Sequence, residues 1–267
     1  MKIHLGDFEM VYTDEGKGNP IVFIHGYPLN RQMWEAQLPG LADRYRILAP
    51  DLRGHGDSSA TTGSYSMELL ASDLARWLDR LAIHEAITVC GLSMGGYVSL
   101  AFCRLFPERL SRLVLAASRA AADTPEEMMK RDRASELVQK EGLEAIVNGM
   151  IMRLFAPETL NSRPELVNSV KKMMLRTSIE GVVGVLSGMK NRPDSTSFLS
   201  NIRVPTLVIH GEQDQIVPRQ EAENMVNRVA GAKLVIIGKA GHLPNLEQPE
   251  DFNNALLTFL AETGQDE

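Results

Sequence analysis

Residues 86–96 read Ala86-Ile-Thr-Val-Cys-Gly91-Leu-Ser93-Met-Gly95-Gly96: a short β-branched run, then Gly-x-Ser-x-Gly, then the apolar start of a helix. The content of this stretch is steric. A serine at a tight strand-to-helix turn presses the residues two before and two after it against neighbouring backbone. A Cβ would collide there, so positions 91 and 95 call for glycine. The turn lifts the Ser93 hydroxyl out of the sheet and sets it at a helix N-terminus, where developing negative charge is favoured. Glycine and serine are common in loops, so the flanking strand and helix are what give the pattern its meaning.

Outward from this turn, short apolar strands alternate with amphipathic helices. Strands are expected at Ile21–His25, Arg46–Ala49, Ala86–Cys90 and Leu113–Ala116, and helices near Gln32–Leu38, Met67–Leu81 and Met94–Leu105, the last stopped by Pro107. Continuous apolar runs of this length suit a parallel sheet covered on both faces. Ile3–Leu5 and Glu9–Thr13 alternate with period two around Gly6-Asp7 and read as an opening hairpin. The rhythm breaks after Ser118 and resumes with Pro205–His210 and Lys233–Ile237 as strands and Arg219–Val229 and Pro249–Ala261 as helices. Between the two parts no strand is convincing, and three or four helices fit. Their starts are signalled at Thr124-Pro125-Glu126-Glu127 and at Asn161 to Glu165, where a proline and acidic residues occupy the first turn.

We therefore expect an α/β core built from residues 1–119 and 195–267, interrupted by an all-helical lid over 120–194. Methionine concentrates in the interruption, at Met128, Met129, Met150, Met152, Met173, Met174 and Met189. Its flexible thioether serves equally as helix core or as the wall of an adaptable pocket.

A serine hydroxyl needs a base to act as a nucleophile. Of the six histidines, His242 lies in Lys239-Ala-Gly-His-Leu-Pro-Asn, a loop directly after the last apolar strand, where such sheets place functional groups. His84 follows a helix, His4 sits in the hairpin and His210 ends a strand, so none has that context. The base needs a carboxylate to hold its tautomer. Asp214, in the turn His210-Gly-Glu-Gln-Asp-Gln-Ile, is favoured over Glu212 because it stands further out from the strand. The chain order Ser93, Asp214, His242 then follows. An oxyanion would be held by the backbone N–H groups of Met94 and Tyr27, the latter in His25-Gly26-Tyr27-Pro28. His25 is read as a brace for that loop and not as a chemical group, although His25, Gly26, Tyr27 and Met150 are all placed at the substrate.

The 267 residues carry a formal net charge of −6, with 44% hydrophobic and 23% charged residues, an ordinary composition for a globular domain with a sizeable core. No basic patch argues for nucleic acid and no run of 18 apolar residues argues for a membrane span. Cys90 and Cys103 are too few for a disulfide framework and read as buried thiols of a cytoplasmic protein, with no signal peptide at the start of the chain. No phosphate-binding loop and no zinc-ligand spacing is present, so neither cofactor nor metal is expected.

With these residues assembled, the chain resembles the α/β-hydrolase family along essentially its whole length. The matching pieces are His25-Gly26-Tyr27-Pro28, Asp51-Leu-Arg-Gly-His-Gly-Asp-Ser58, Gly91-Leu-Ser-Met-Gly-Gly96, His210-Gly-Glu-Gln-Asp214 and Gly241-His-Leu-Pro-Asn-Leu-Glu-Gln-Pro249. The resemblance implies an eight-stranded, mostly parallel sheet flanked by helices, with the lid inserted after the sixth strand. Arg53, His55 and Asp57 are then scaffold. Within the family the chain is similar to small bacterial carboxylesterases, through Ser118 to Glu126 and Asn191 to Ser195, and to 3-oxoadipate enol-lactonases, through Gly241 to Pro249. The implied activity is hydrolysis of a small-molecule carboxylic ester through an acyl-enzyme. The alternatives are a lactone substrate, which would want a cation from among Arg119, Arg131, Arg133, Arg153 and Arg176, or a ligand receptor that retains the triad.

Overall fold

A computed structural model describes residues 1–264. Residues 265–267, which the sequence assigns to the core, lie outside the described residues. Eight strands form one sheet: β1 (Lys2–His4), β2 (Glu9–Glu15), β3 (Pro20–Ile24), β4 (Arg46–Pro50), β5 (Ile87–Leu92), β6 (Leu110–Ala116), β7 (Thr206–Gly211) and β8 (Lys233–Ile237). Their order is β1-β2-β4-β3-β5-β6-β7-β8. The opening hairpin β1–β2 and the β2–β4 pair are antiparallel, and every pair from β4 to β8 is parallel.

The strands are apolar throughout because both faces are covered. On one face Val22, Ile24, Leu48, Val89, Leu113 and Leu115 pack together; on the other their neighbours Phe23, Ile47, Cys90, Leu92, Val114 and Ala116 do. This is the period-two alternation of a strand with two buried sides. Both cysteines are free and buried, as read from the sequence, and burial raises their thiol pKa values, that of Cys103 to about 11.

The helices follow in chain order. The segment after β3 is a 3₁₀ stretch, Arg31–Gln37, opened by the Asn30 side chain accepting from the Gln32 amide, and continued by one α-turn, α1 (Leu38–Leu41). The single helix expected at Gln32–Leu38 is thus a tighter coil with a different end. Then come α2 (Met67–Arg80) and α3 (Met94–Leu105), packed side by side, with Ser66 capping α2 through the Leu69 amide.

Between β6 and β7 stand five helices, not three or four: α4 (Pro125–Glu141), α5 (Leu143–Leu154), α6 (Pro157–Ser162), α7 (Pro164–Met174) and α8 (Ile179–Lys190). The additional breaks have local causes. Gly142 takes φ +83° between α4 and α5, and Pro157 and Pro164 push the preceding Ala156 and Arg163 out of helical backbone. The start signalled within Asn161 to Glu165 falls at Pro164. Thr124 and Glu127 form a reciprocal capping box at the head of α4. The remaining helices are α9 (Arg219–Arg228), α10 (Pro244–Glu247) and α11 (Pro249–Thr263).

The five-helix segment is fastened to the sheet side of the molecule at several points. The Ser178 amide and hydroxyl both donate to the Gly54 carbonyl, the Tyr65 amide to the Gly184 carbonyl, and the Thr177 hydroxyl to the Pro28 carbonyl. Among the described residues no helix is long and apolar enough to cross a membrane.

Candidate active site

Ser93 stands between the end of β5 and the start of α3 with φ +55° and ψ −112°, a region that only a surrounding structure can enforce on a side-chain-bearing residue. The enforcement is visible. The Ser93 amide donates to Ala116 O at 2.8 Å, and Ser93 O accepts from the Gly96 amide and the Ser118 hydroxyl. A Cβ on Gly91 would run into Gly95 O and Ser99 Oγ, and one on Gly95 into Ile24 O. Both glycines are thus the condition for the turn.

His242 lies in the loop between β8 and α10, almost wholly buried, and its own amide donates to Leu154 O of α5 at 2.9 Å. Its Nδ1 is 2.8 Å from Asp214 Oδ2. Asp214 Oδ1 accepts from the amides of Ile216 and Val217. Burial acts to raise the Asp214 carboxyl, but the His242 ring and these two amides outweigh it and hold it below the ordinary value. Glu212, the other acid of the turn, is instead exposed and accepts from the Lys239 amide.

Ser93 and His242 line one cavity of about 470 Å³, whose wall also includes Tyr27, Met150, Leu186 and Met189. Among the described residues no hydrogen bond joins Ser93 to the imidazole; catalytic contacts are commonly long without substrate. The amides of Tyr27 and Met94 donate to no protein acceptor among the described residues. Of the methionines of the helical segment, Met150 and Met189 face the cavity, Met173 and Met174 belong to the core, and Met129 and Met152 are exposed.

His25 does not reach the cavity, which corrects its placement at the substrate. The ring is fully buried, Nδ1 engages Gly26 O at 2.9 Å and Nε2 accepts the Leu52 amide at 3.0 Å. Gly26 is buried as well and packs against Leu92 and the Ser93 Cβ without lining the cavity. Both residues act on the site through the loop that presents Tyr27. The Asp51–Ser58 loop is held from within: Asp51 accepts from the amides of Arg31 and Asp57, and Arg53 pairs with the buried Asp73.

The sequence left two points of the site open: a role for Glu247, and which of the candidate arginines face the cavity. Glu247 is buried and its carboxylate accepts from the amides of Ala156 and Gly241. The cavity wall also carries Arg119, Lys130, Arg131 and Arg153, whereas Arg133 is absent from it and Arg176 pairs with Asp57. No group of three His, Cys, Asp or Glu side chains among the described residues is placed to hold a metal ion.

Comparison with known proteins agrees with this architecture. A family model described as the alpha/beta hydrolase fold matches residues 19–249. An esterase from Thermogutta terrifontis, solved with malate bound, superposes with a TM-score of 0.94 at 41% identity, covering 96% of this chain and 94% of that one. The 3-oxoadipate enol-lactonase 2 of Acinetobacter baylyi is 30% identical over 252 residues, 94% of this chain and 92% of the relative. A non-heme chloroperoxidase of Kitasatospora aureofaciens is 32% identical over 275 residues, 94% of this chain and 96% of the relative. The chain belongs to the α/β-hydrolase family.

Proposed function

We propose that this α/β hydrolase cleaves small carboxylic esters through an acyl-enzyme, with Ser93 as nucleophile, His242 as general base and acid, and Asp214 as the group that orients His242. The observation that carries the reading is the 2.8 Å contact of Asp214 with His242 Nδ1, on the wall of the cavity that also exposes Ser93 at its strained turn. Nδ1–H then donates to the carboxylate, leaving Nε2 free to accept a proton.

Ser93 Oγ attacks the ester carbonyl as Nε2 takes its proton. The negative charge on the carbonyl oxygen is received by the unpaired amides of Tyr27 and Met94, the second of which opens α3 and adds the positive end of that helix. The C–O bond to the alcohol breaks as the imidazolium protonates the leaving oxygen. Water, deprotonated by the same Nε2, then attacks the acyl-enzyme; the imidazolium returns that proton to Ser93 Oγ as the Ser93–acyl bond breaks, and the acid leaves.

The segment 120–194 acts in this reading as a cap over the cavity, to which it contributes Met150 and Met189. The Thermogutta esterase, a likeness over nearly the whole chain, favours ester substrates; the Acinetobacter lactonase supports a second reading in which the cleaved bond belongs to a lactone, with the same groups at work. Two free buried thiols fit a reducing compartment and hence a cytoplasmic enzyme.

The test is steady-state hydrolysis of p-nitrophenyl esters from acetate to decanoate beside Ser93→Ala. Turnover that vanishes in the variant, with covalent labelling of Ser93 by a fluorophosphonate, is the expected result. A wild-type protein inert to esters and lactones alike and unlabelled at Ser93 would refute the reading and leave the receptor.

A further inference from the structure

The cavity at Ser93 has a stiff wall beside the nucleophile. Tyr97 follows Ser93 by one turn of α3, its amide donating to Ser93 O at 3.4 Å, and both residues line the cavity. Side chains on a helix lean back towards its N-terminus, so the Tyr97 ring is directed towards Ser93. The guanidinium of Arg192 lies 4.0 Å from the centre of that ring, a cation–π contact between two buried side chains. Arg192 is itself fixed: it donates to Asp123 at 2.6 Å and to the carbonyls of Met189 and Ala121, each at 2.8 Å. The same Asp123 holds Arg119 at 2.7 Å and pairs with Arg131.

Behind this wall lies a second, narrow cleft of about 10 Å³, bounded by Met67, Leu100, Pro193 and the Arg104–Glu68 ion pair. The two spaces share Tyr97 and Arg119 as lining, so these side chains are the partition between them. The larger cavity has two distinct ends. Lys130, Gly149 and Arg153 are exposed and mark its mouth, whereas Tyr97, Leu186 and Met189 are buried and mark its closed end. His242 belongs to the mouth side, because its amide is bound to Leu154 O on α5, the helix that carries Gly149 and Arg153. The leaving oxygen must lie where His242 can protonate it, which turns the alcohol towards the mouth and the acyl chain towards Tyr97.

We propose that Tyr97, clamped by Arg192, is the end stop of the acyl pocket and sets how long an acyl chain Ser93 accepts, while the alcohol side stays open. The proposal rests on the reading of Ser93 as nucleophile. Met150 and Met189, which line the same cavity, have flexible side chains that can shift to admit an added methylene. The Tyr97 ring has no such freedom, because Arg192 and its buried carboxylate stand directly behind it. A chain that reaches the ring therefore meets it as overpacking. Removing the ring would join the cavity to the cleft behind it, since Tyr97 is half of the partition.

Two ester series on the full chain test this. p-Nitrophenyl esters from acetate to decanoate vary the acyl chain, and alkyl acetates from ethyl to octyl, followed by pH-stat, vary the alcohol. Wild type should lose more kcat/KM between butyrate and octanoate than between ethyl and octyl acetate. In Tyr97→Ala the octanoate-to-butyrate ratio should rise about ten- to a hundredfold, while the octyl-to-ethyl acetate ratio keeps its wild-type value. Tyr97→Phe, which retains the ring against Arg192, should retain the wild-type acyl preference. Ratios within one variant cancel any general loss of turnover, and Tyr97→Leu takes the place of Tyr97→Ala should the latter not fold. A wild type that takes octanoate as well as butyrate, an acyl ratio unmoved in the folded variant, or a shift in the alcohol series instead overturns the end stop. If no ester is cleaved and a fluorophosphonate leaves Ser93 unlabelled, the Ser93 reading fails separately. The end stop is then judged by calorimetric binding of 2-alkanones. Relative to 2-hexanone, 2-decanone must bind about tenfold more tightly to Tyr97→Ala than to wild type, and equal ratios overturn it.

Discussion

The carboxylate of Glu247 accepts the amide of Ala156 at 2.8 Å, joining the end of α10, the helix that follows the His242 loop, to the helical segment between β6 and β7. Its other oxygen takes the Gly241 amide at 2.7 Å, and the Leu243 amide and Thr159 hydroxyl also bear on it. The residues on both sides of His242 are thus held by one buried acid, with no cation paired to it among the described residues. Burial pushes the carboxyl above its ordinary value, against the pull of these donors. Glu247→Gln would set an NH₂ group against N–H donors, costing about 1–3 kcal/mol of stability. We expect a lower urea midpoint and a roughly tenfold lower kcat with little change in KM, since substrate contacts remain. An unchanged kcat in the folded variant would show that Glu247 only fastens the chain.

Asp214→Asn keeps the shape of the acid but lets the side chain donate as well as accept. The imidazole can then settle in the wrong tautomer, and kcat should fall on the order of 10²–10⁴-fold. The wild-type carboxyl is held below its ordinary value of 3.8, so it is ionised above that pH and the defect should persist across the neutral and alkaline range. Ser93→Ala combined with Asp214→Asn should be no slower than Ser93→Ala alone. Rate against pH for the single and double variants decides this.

Much of this architecture was legible because its causes are local. The strands are short β-branched runs between turn residues, and they lie within a few residues of their expected places. The turn at Ser93 follows from glycines at 91 and 95, whose neighbours Gly95 O and Ile24 O leave no room for a Cβ. What stayed hidden depends on contacts far along the chain. His25 turns from the cavity because the Leu52 amide, 27 residues away, claims its Nε2. The inward arginines are selected by Asp123, which meets Arg192 across 69 residues. The two proline breaks of the helical segment are printed in the sequence, but an amphipathic pattern runs through them and masks the extra helices.

Arg53 is a scaffold arginine whose removal should be felt as stability. Its side chain is 2% exposed, grips the fully buried Asp73 through two hydrogen bonds of 2.9 and 2.8 Å, and lies 4.2 Å from the centre of the Phe8 ring. Arg53→Met leaves Asp73 with Arg76 alone, and breaking a buried pair from one side costs about 3–5 kcal/mol. Chemical denaturation should report a loss of that order. The folded fraction should keep the wild-type kcat/KM, because Arg53 touches no part of the cavity.

His25 and His55 set the acid limit of the fold. Their rings are fully buried with centroids 5.0 Å apart. Burial lowers His25 to about 4, and burial together with the His25 charge lowers His55 to about 3, against an ordinary value of 6.5. In the unfolded chain both take up a proton near 6.5, while the native chain refuses it until much lower pH. Between those limits the unfolded state binds more protons, so stability is complete above pH 6.5 and is lost as the pH falls towards 4. At about 1.4 kcal/mol per unit of displacement, the pair accounts for several kcal/mol. Urea midpoints should drop steadily between pH 7 and 5, and His55→Gln, which no longer titrates, should flatten that slope. A midpoint independent of pH in this window would mean that both rings gain protons in the native state. Their hydrogen bonds to Gly26 and Arg53, which brace the loops beneath Ser93, would then have to survive a buried positive charge.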